Sequence, residues 1–437
     1  MRRTIYLLQE FSIPLIAGVV VALLVANLSA ESYEWYQQVL HWKPLGEVAL
    51  FGHGLTLHFL VNDIFMVFFF GIAAKEITEA CLPGGSLNPV AKAINPLFAT
   101  LGGVIGPIFV FLGGLWLLFS LGVYDAAVDD PAALRRGWGV PTATDIALAW
   151  LVARAVFGRG HPAVNFLLLL AVADDAIGLV IIAVFYGDPT QPAQPQFLAL
   201  ILAGMGAVYG LRKLGIKSWI PYIAVGGPLA WSGLMMAHLH PALALVFIVP
   251  FLPAPGRDVG LFVDEDEVDR LGEALADDLH IEHSPLHQFE HQMKLCVDFG
   301  LFFFAFTNAG VALSGIGPMT WLILGSLVIG KVVGVTSLGI IAMQLGFPLP
   351  NRMGLPELCM AGFVAALGLT VALFVAGAAF IDPVLLGQAK MGALFSGFVG
   401  LAAILLGRLL GFGRDPVDAD RDSADAARSD QMTGPLD

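Results

Sequence analysis

The stretch FLLLLAVADDAIGLVIIAVFY, residues 166–186, decides the fold. A helix that crosses a bilayer needs about 20 mainly apolar residues, and this run is of that length. Two adjacent carboxylates, Asp174 and Asp175, stand at its middle. A charge at the centre of a spanning helix costs roughly 2.5–3.5 kcal/mol on insertion scales, so such a residue marks function by default.

The rest of the chain has the same character. Of 437 residues, 57% are hydrophobic and 13% are charged, whereas soluble domains carry about 25% charged residues. Mean hydropathy is +0.80. A soluble fold with so few charges could not cover its surface, and disorder, collagen and coiled coils fail on the same figures. The net charge of −13 leaves no basic footprint for nucleic acid. The 50 glycines suit helices that pack closely in a membrane. Cys81, Cys296 and Cys359 are scattered and odd in number, which argues against a disulfide framework or a zinc site.

Twelve apolar segments read as spans: 11–30, 57–80, 95–120, 140–157, 162–186, 196–212, 218–237, 241–255, 293–313, 320–344, 357–379 and 384–409. Long continuous runs of this kind exclude the alternation of a β-barrel. The expected architecture is therefore an all-α polytopic membrane protein whose membrane domain occupies residues 1–410. An acidic cytoplasmic loop at 256–292 interrupts it, with a short amphipathic helix near Val268–Leu279. A disordered acidic cytoplasmic tail, 411–437, follows. The first segment reads as an uncleaved helix rather than a signal peptide. Lys and Arg concentrate in alternate loops and at both ends, which puts both termini of a multi-pass protein in the cytoplasm. Arg135 and Arg136 are the exception, in an outside loop with Asp125, Asp129 and Asp130.

Three further features lie inside spans. Lys331 stands near the centre of LILGSLVIGKVVGVTSLG, and Asp145 lies in GWGVPTATDIALAW. With the aspartate pair these charges cost on the order of 10 kcal/mol unpaired. Pro141 precedes Thr142-Ala143-Thr144-Asp145, a mixture of turn and capping residues in mid-span. Gly368 and Thr370 interrupt another span. Interrupted spans four and eleven occupy corresponding places in two halves, the pattern that points to a transporter binding site. Neighbours in a helix diverge by about 100°, so Asp174 and Asp175 face different surroundings. A desolvated carboxylate holds a proton near neutral pH, and its ionised form is a hard ligand for a small cation. One site that accepts either, and not both, is the simplest basis for cation/proton exchange.

These patches together resemble the NhaA-type sodium/proton antiporters. The resemblance rests on VNDIFMVFFFGIAAKE (61–76), GWGVPTATDIALA (137–149), the Asp-Asp segment, FAFTNAGVAL (304–313) with LVIGKVVG (327–334), and more loosely GLTVALFV (368–375). It implies an inverted-repeat transporter with two discontinuous helices, and electrogenic, pH-regulated exchange of cytoplasmic Na+ or Li+ for external H+, without a cofactor. It assigns cation and proton binding to Asp175 and Asp174. It assigns charge compensation at the helix crossing to Thr144, Asp145, Lys331, Gly368 and Thr370. His240 matches a histidine of the family, and the family implies a homodimer; Asp63 and Glu76, thirteen residues apart at the periplasmic and cytoplasmic ends of one span, join His240 and Glu290 as candidates for pH sensing or ion entry. The sequence departs from the family where Glu76 is followed by Ile77-Thr78-Glu79, at the weakly polar Leu369-Thr370-Val371-Ala372, around His240, and in the length of the acidic loop.

Three other readings compete with an antiporter. Sodium-coupled solute symport needs a roomier polar cavity than span eleven offers. An intramembrane aspartyl protease could pair Asp174 with Asp145, but the GxGD signature is absent and Lys331 would have no role. A retinal-type protein could use Lys331, but that architecture has seven spans.

Overall fold

The computed structural model describes residues 12–82, 85–88, 90–158, 160–187, 192–254, 284–350 and 353–412. Apart from one antiparallel hairpin, β1 (Ala49–Leu50) with β2 (His53–Gly54), the regular structure of these residues is helical. In chain order the helices are α1 (Ile13–Leu28), α2 (Ala30–His41), α3 (Leu57–Cys81), α4 (Val90–Ser120), α5 (Pro131–Thr142), α6 (Ile146–Phe157) and α7 (Pro162–Phe185). They continue as α8 (Pro195–Lys213), α9 (Ile220–Met236), α10 (Pro241–Phe251), α11 (Pro285–Ala309), α12 (Pro318–Gln344), α13 (Leu355–Val364), α14 (Leu369–Ala379) and α15 (Pro383–Leu410).

Six of these helices are long and apolar enough to cross a membrane, or eight spans if each of two bent pairs counts as one. The bent pairs are α5 with α6, at 49°, and α13 with α14, at 51°. The protein is thus helical and membrane-capable, as its hydropathy requires. The helices start where the sequence supplies caps. Thr56 accepts from Phe59 N at α3, Asp145 from Leu148 N at α6, and Asp382 from Val384 N and Leu385 N at α15.

Several boundaries differ from the sequence reading. Segment 241–255 is only the eleven-residue α10, a short α-helical piece between two 3-10 turns, because Pro241 and Pro250 punctuate it. Residues 285–292, read as part of the acidic loop, are the opening turns of α11. Ser284 caps that helix by accepting from His287 N at 3.2 Å, and Pro285 fits its first position. The amphipathic α2 occupies a stretch read as connection; Ser29 and Ser32 form its capping box. The expected helix near Val268–Leu279, and all of the tail beyond Phe412, lie outside the described residues.

The helices pack as two groups. The larger holds α4, α5, α6, α7, α12, α13, α14 and α15; the smaller holds α1, α2, α3, α8, α9, α10 and α11. The tightest crossing in the larger group is α4 on α12. A Cβ at Gly102 would run into the Gly334 carbonyl, and one at Gly334 into the Gly102 carbonyl. Such mutual backbone approach is how small residues bring membrane helices together. Between the groups, packing is strongest along a seam where α3 meets α7 and α11 meets α14 and α15. Phe374 of α14 bridges that seam, with ring centroids 4.8 Å from Phe70 and 4.5 Å from His240.

Candidate functional site

The two bent pairs cross one another, and their breaks place four helix ends in the interior of the larger group. Residues 143–145 separate α5 from α6, and 365–368 separate α13 from α14. The breaks are stitched together by Asp145 N, which donates to Leu367 O at 2.6 Å, and Thr144 Oγ1, which donates to Ala365 O at 2.8 Å. Gly368 is needed here for space: a Cβ would stand 2.9 Å from the Ala143 carbonyl. Its N–H donates to Ser396 Oγ at 3.2 Å.

Free N–H and C=O groups at such breaks require partners, since no water serves them in a bilayer. The Asp145 carboxylate serves two N-terminal ends. Oδ1 accepts from Leu148 N at 3.1 Å on α6, and Oδ2 accepts from Thr370 N at 3.3 Å and from the Thr370 hydroxyl on α14. Positive helix ends attract a carboxylate in this way. At the opposite polarity, the Lys331 ammonium donates to the Thr142 carbonyl at 2.5 Å, where α5 ends, and to Thr144 Oγ1 at 3.0 Å. Its third donor goes to Asp174 Oδ2, also at 2.5 Å. Both side chains of this ion pair are fully buried. A π-helical turn, Ser326–Gly330, immediately precedes Lys331; extra-residue turns of this kind mark functional positions in helices.

Asp175 is placed differently from its neighbour. Asp174 turns into the larger group and meets Lys331, whereas Asp175 lies within electrostatic reach of Glu76 on α3, across the seam, as well as of Asp174, Asp145 and Lys331. The Asp175 residue is 8% exposed and its Oδ1 has no hydrogen-bond partner. Asp174 Oδ1 is in the same condition. A buried, unpartnered carboxylate oxygen is costly, and it is the atom type that a hard cation or a proton would satisfy.

The other candidates lie apart from this centre. Glu290, on α11, ion-pairs with Lys75 of α3, and Lys75 also meets Glu79 at 2.6 Å. Lys294 approaches Glu290 at 3.7 Å, and one ligand atom from each of Glu79, His287 and Glu290 falls within a 4.8 Å cluster. Lys75 fills the middle of these carboxylates with its own ammonium. Glu76 is within electrostatic reach of this cluster and of Asp175, so it stands between the two. Asp63 sits in a π-helical turn of α3, Leu60–Phe65, and its carbonyl accepts from Trp231 Nε1 at 2.7 Å. His240 opens α10 and lies against Phe374.

Sequence reading passed over Lys75 and Glu79 as members of a buried cluster, although both stand in the last turns of an apolar run. It also passed over Lys390, which is 8% exposed in α15. The rule that selects Lys331, a lysine inside a span, selects Lys390 equally.

Comparison with known proteins concerns the chain as a whole. The family model described as Na+/H+ antiporter 1 matches residues 6–409. The "Na(+)/H(+) antiporter NhaA" of Geobacter sulfurreducens is 56% identical over 416 residues, covering 95% of this chain and 100% of that protein. The protein of the same name from Desulfitobacterium hafniense is 54% identical over 411 residues, covering 94% of this chain and 97% of its own. That of a Jannaschia species is 43% identical over 427 residues, covering 91% and 96%. With a family match over nearly the whole chain and relatives matched end to end, this chain belongs to the Na+/H+ antiporter 1 family.

Proposed function

We propose that this protein exchanges cytoplasmic Na+ or Li+ for external H+ at Asp175, with Asp174 as its partner. The observation that carries the reading is that Asp174 and Asp175 each keep a buried oxygen without a partner, while Lys331 ion-pairs with Asp174 and, among the described residues, no cation pairs with Asp175. A cation at Asp175 would draw Asp174 toward it and weaken the Lys331 pair. A proton at Asp175 would remove the charge that holds the cation. The two occupants exclude each other, so moving the loaded site from one face to the other couples their fluxes without a cofactor or a covalent step. Asp145, Thr144, Thr370, Gly368 and Lys331 compensate the four helix ends and keep the broken helices rigid around the site. Release of more than one proton per cation from the Asp174, Asp175 and Lys331 set would make the exchange electrogenic.

Six long helices, two bent pairs, three shorter apolar helices and α11 together supply twelve crossings. With the N-terminus inside, α3 runs inward and α11 outward. Glu290, Lys75 and Glu79 then lie at the cytoplasmic end, where a cluster of acids and a histidine suits pH-dependent regulation and ion entry through Glu76. Asp63, Asn62, Asn308 and Lys390 lie toward the external end. The inner membrane of a bacterium, with both termini cytoplasmic and two copies assembled as a dimer, completes the reading.

The test is sodium- or lithium-dependent movement of protons in inside-out vesicles across pH, for the wild type and Asp175→Asn. Cation-dependent collapse of the proton gradient in the wild type, lost in the variant, is the expected result. A folded wild type that responds to neither ion at any pH overturns the assignment.

A further inference from the structure

The helix groups that meet at the Asp175 seam are tied by one buried lysine. Lys390 of α15 donates to Asn308 Oδ1 of α11 at 3.3 Å. Asn308 Nδ2 in turn donates to Asn62 Oδ1 of α3 at 2.8 Å, and also to Phe304 O and Thr307 Oγ1 on its own helix. Asn62 Nδ2 donates to His58 O at 3.1 Å. The chain is directional. An ammonium can only donate, so the Asn308 oxygen must face Lys390, which points its amide nitrogen at the Asn62 oxygen. The residues are 8%, 3% and 7% exposed, so the network is buried.

The chemistry of Lys390 is unlike that of the other buried lysines. Lys331 meets Asp174, and Lys75 meets Glu79 and Glu290. For Lys390, among the described residues, the partner is a neutral amide. A buried ammonium without a counter-ion costs stability, so its retention points to function. Its bond also runs between the groups, unlike the following bonds among the described residues. Lys331–Asp174, Lys331–Thr144, Asp145–Thr370 and Arg136–Ala379 stay within the larger group. Asn308–Asn62, Lys75–Glu290 and Trp231–Asp63 stay within the smaller. Lys390–Asn308 crosses the seam. It does so near the start of α3, the start of α15 and the end of α11, away from the Lys75 cluster at the other ends of α3 and α11.

We propose that Lys390, acting through Asn308 and Asn62, is a clasp that holds the external mouth of the ion site closed and must open once per transport cycle. The proposal rests on the exchange and orientation given under Proposed function. Alternating access requires the two groups to rock against each other about a fixed site. Opening the external side separates α11 from α15 and breaks the bond; closing it restores the bond. The neutral partner fits a contact that must release, because a buried salt bridge at the same place would be far more costly to break. Lys390 is thus a positioning residue that sets the balance between inward-open and outward-open forms and does not touch the ion.

The test measures the apparent affinity for Na+ separately at each face, in vesicles of opposite orientation, for wild type, Lys390→Met and Lys390→Gln. Apparent affinity scales with the fraction of protein open to that face, and a hydrogen bond to a charged group can shift such an equilibrium roughly tenfold or more. Lys390→Met should lower the external KM several-fold and raise the cytoplasmic KM. Lys390→Gln, which keeps a donor, should lie between it and wild type. A role confined to packing would lower the rate at both faces without opposite shifts in KM, and that result overturns the proposal. An independent variant joins Lys390→Cys to Asn308→Cys through a short bis-methanethiosulfonate, which forms a disulfide with each thiol and releases sulfinate, with Cys81, Cys296 and Cys359 replaced. Transport should stop on linking and return on reduction; full transport while linked overturns the clasp. Failure of the exchange reading is separate, because it would appear as a wild type without cation-dependent proton movement.

Discussion

Asp174 and Asp175 are adjacent in sequence and opposite in circumstance. Asp174 Oδ2 is 2.5 Å from Lys331 Nζ, whereas Asp175 Oδ1 is buried without a partner. The helix itself produces the difference, since successive side chains diverge by about 100°. Asp174 meets Lys331, and Asp175 lies within electrostatic reach of Glu76 on α3. Two chemically identical residues thereby differ in one respect: Asp174 has a cationic partner and, among the described residues, Asp175 has none, although each keeps one buried oxygen without a hydrogen bond.

Asp175→Asn removes an oxygen that no protein group uses. Its fold should survive, with unfolding stability unchanged or raised by about 1 kcal/mol, because a buried charge is relieved. Sodium-dependent proton movement should fall at least roughly a hundredfold, since a neutral amide cannot exchange a proton for a cation. Thermal unfolding in detergent and vesicle assays on one preparation would check both parts. An active variant would move the binding site elsewhere.

Lys331→Ala should behave in the reverse way. It leaves Asp174 buried beside Thr144 without its counter-ion, and breaking a buried pair costs about 3–5 kcal/mol. The double variant Lys331→Met with Asp174→Leu should regain most of that stability, because a packed apolar pair replaces the ion pair at little net cost, and should remain inactive. A double variant as unstable as the single one would mean that Lys331 stabilises the protein chiefly through the Thr142 carbonyl.

Thr370→Val keeps the shape of the side chain and removes the hydroxyl that donates to Asp145. A hydrogen bond to a charged group is worth about 1.5–3 kcal/mol, so the variant should unfold earlier by that order. Thr370→Ser should restore most of the loss. Equal stability of the valine and serine variants would show that the α14 N–H groups alone compensate Asp145.

Gly334→Leu forces α12 away from Gly102 on α4. Overpacking costs about 1–3 kcal/mol, and more where backbone cannot yield. Because Lys331 is one turn from Gly334 on the same helix, exchange should fall together with stability. Thermal unfolding and transport measured side by side would detect any uncoupling.

The orientation predicts which loops meet external reagents. A single cysteine introduced at Ala127, in the loop that holds Asp125 and Asp129, should react with a membrane-impermeant thiol reagent in intact cells. One introduced at Ser218 should react only after lysis. The opposite pattern would invert the topology.

The sequence by itself determined the class of protein, most of the helices and the chemistry of the centre. Hydropathy alone forces long helices, because backbone groups in a bilayer must be satisfied within their own segment. Asp145, Asp174, Asp175 and Lys331 stand out for a related reason: a charge inside an apolar run is too costly to be incidental. Pro141 through Asp145 and Gly368 with Thr370 announce interrupted helices through local propensity. The start of α11 was locally encoded too, in Ser284-Pro285, but the acidic run before it masked the cap. Tertiary structure decided everything that depends on partners distant in sequence. It turned Asp174 toward Lys331, 157 residues away, and brought Asp175 within electrostatic reach of Glu76. It set Asp145 against the start of α14, enclosed Lys75 between Glu79 and Glu290, and laid Lys390 against Asn308 across the seam. Periodicity and composition show that a residue is costly to bury; which atom meets it follows from how the helices cross, and that is settled by packing over the whole bundle.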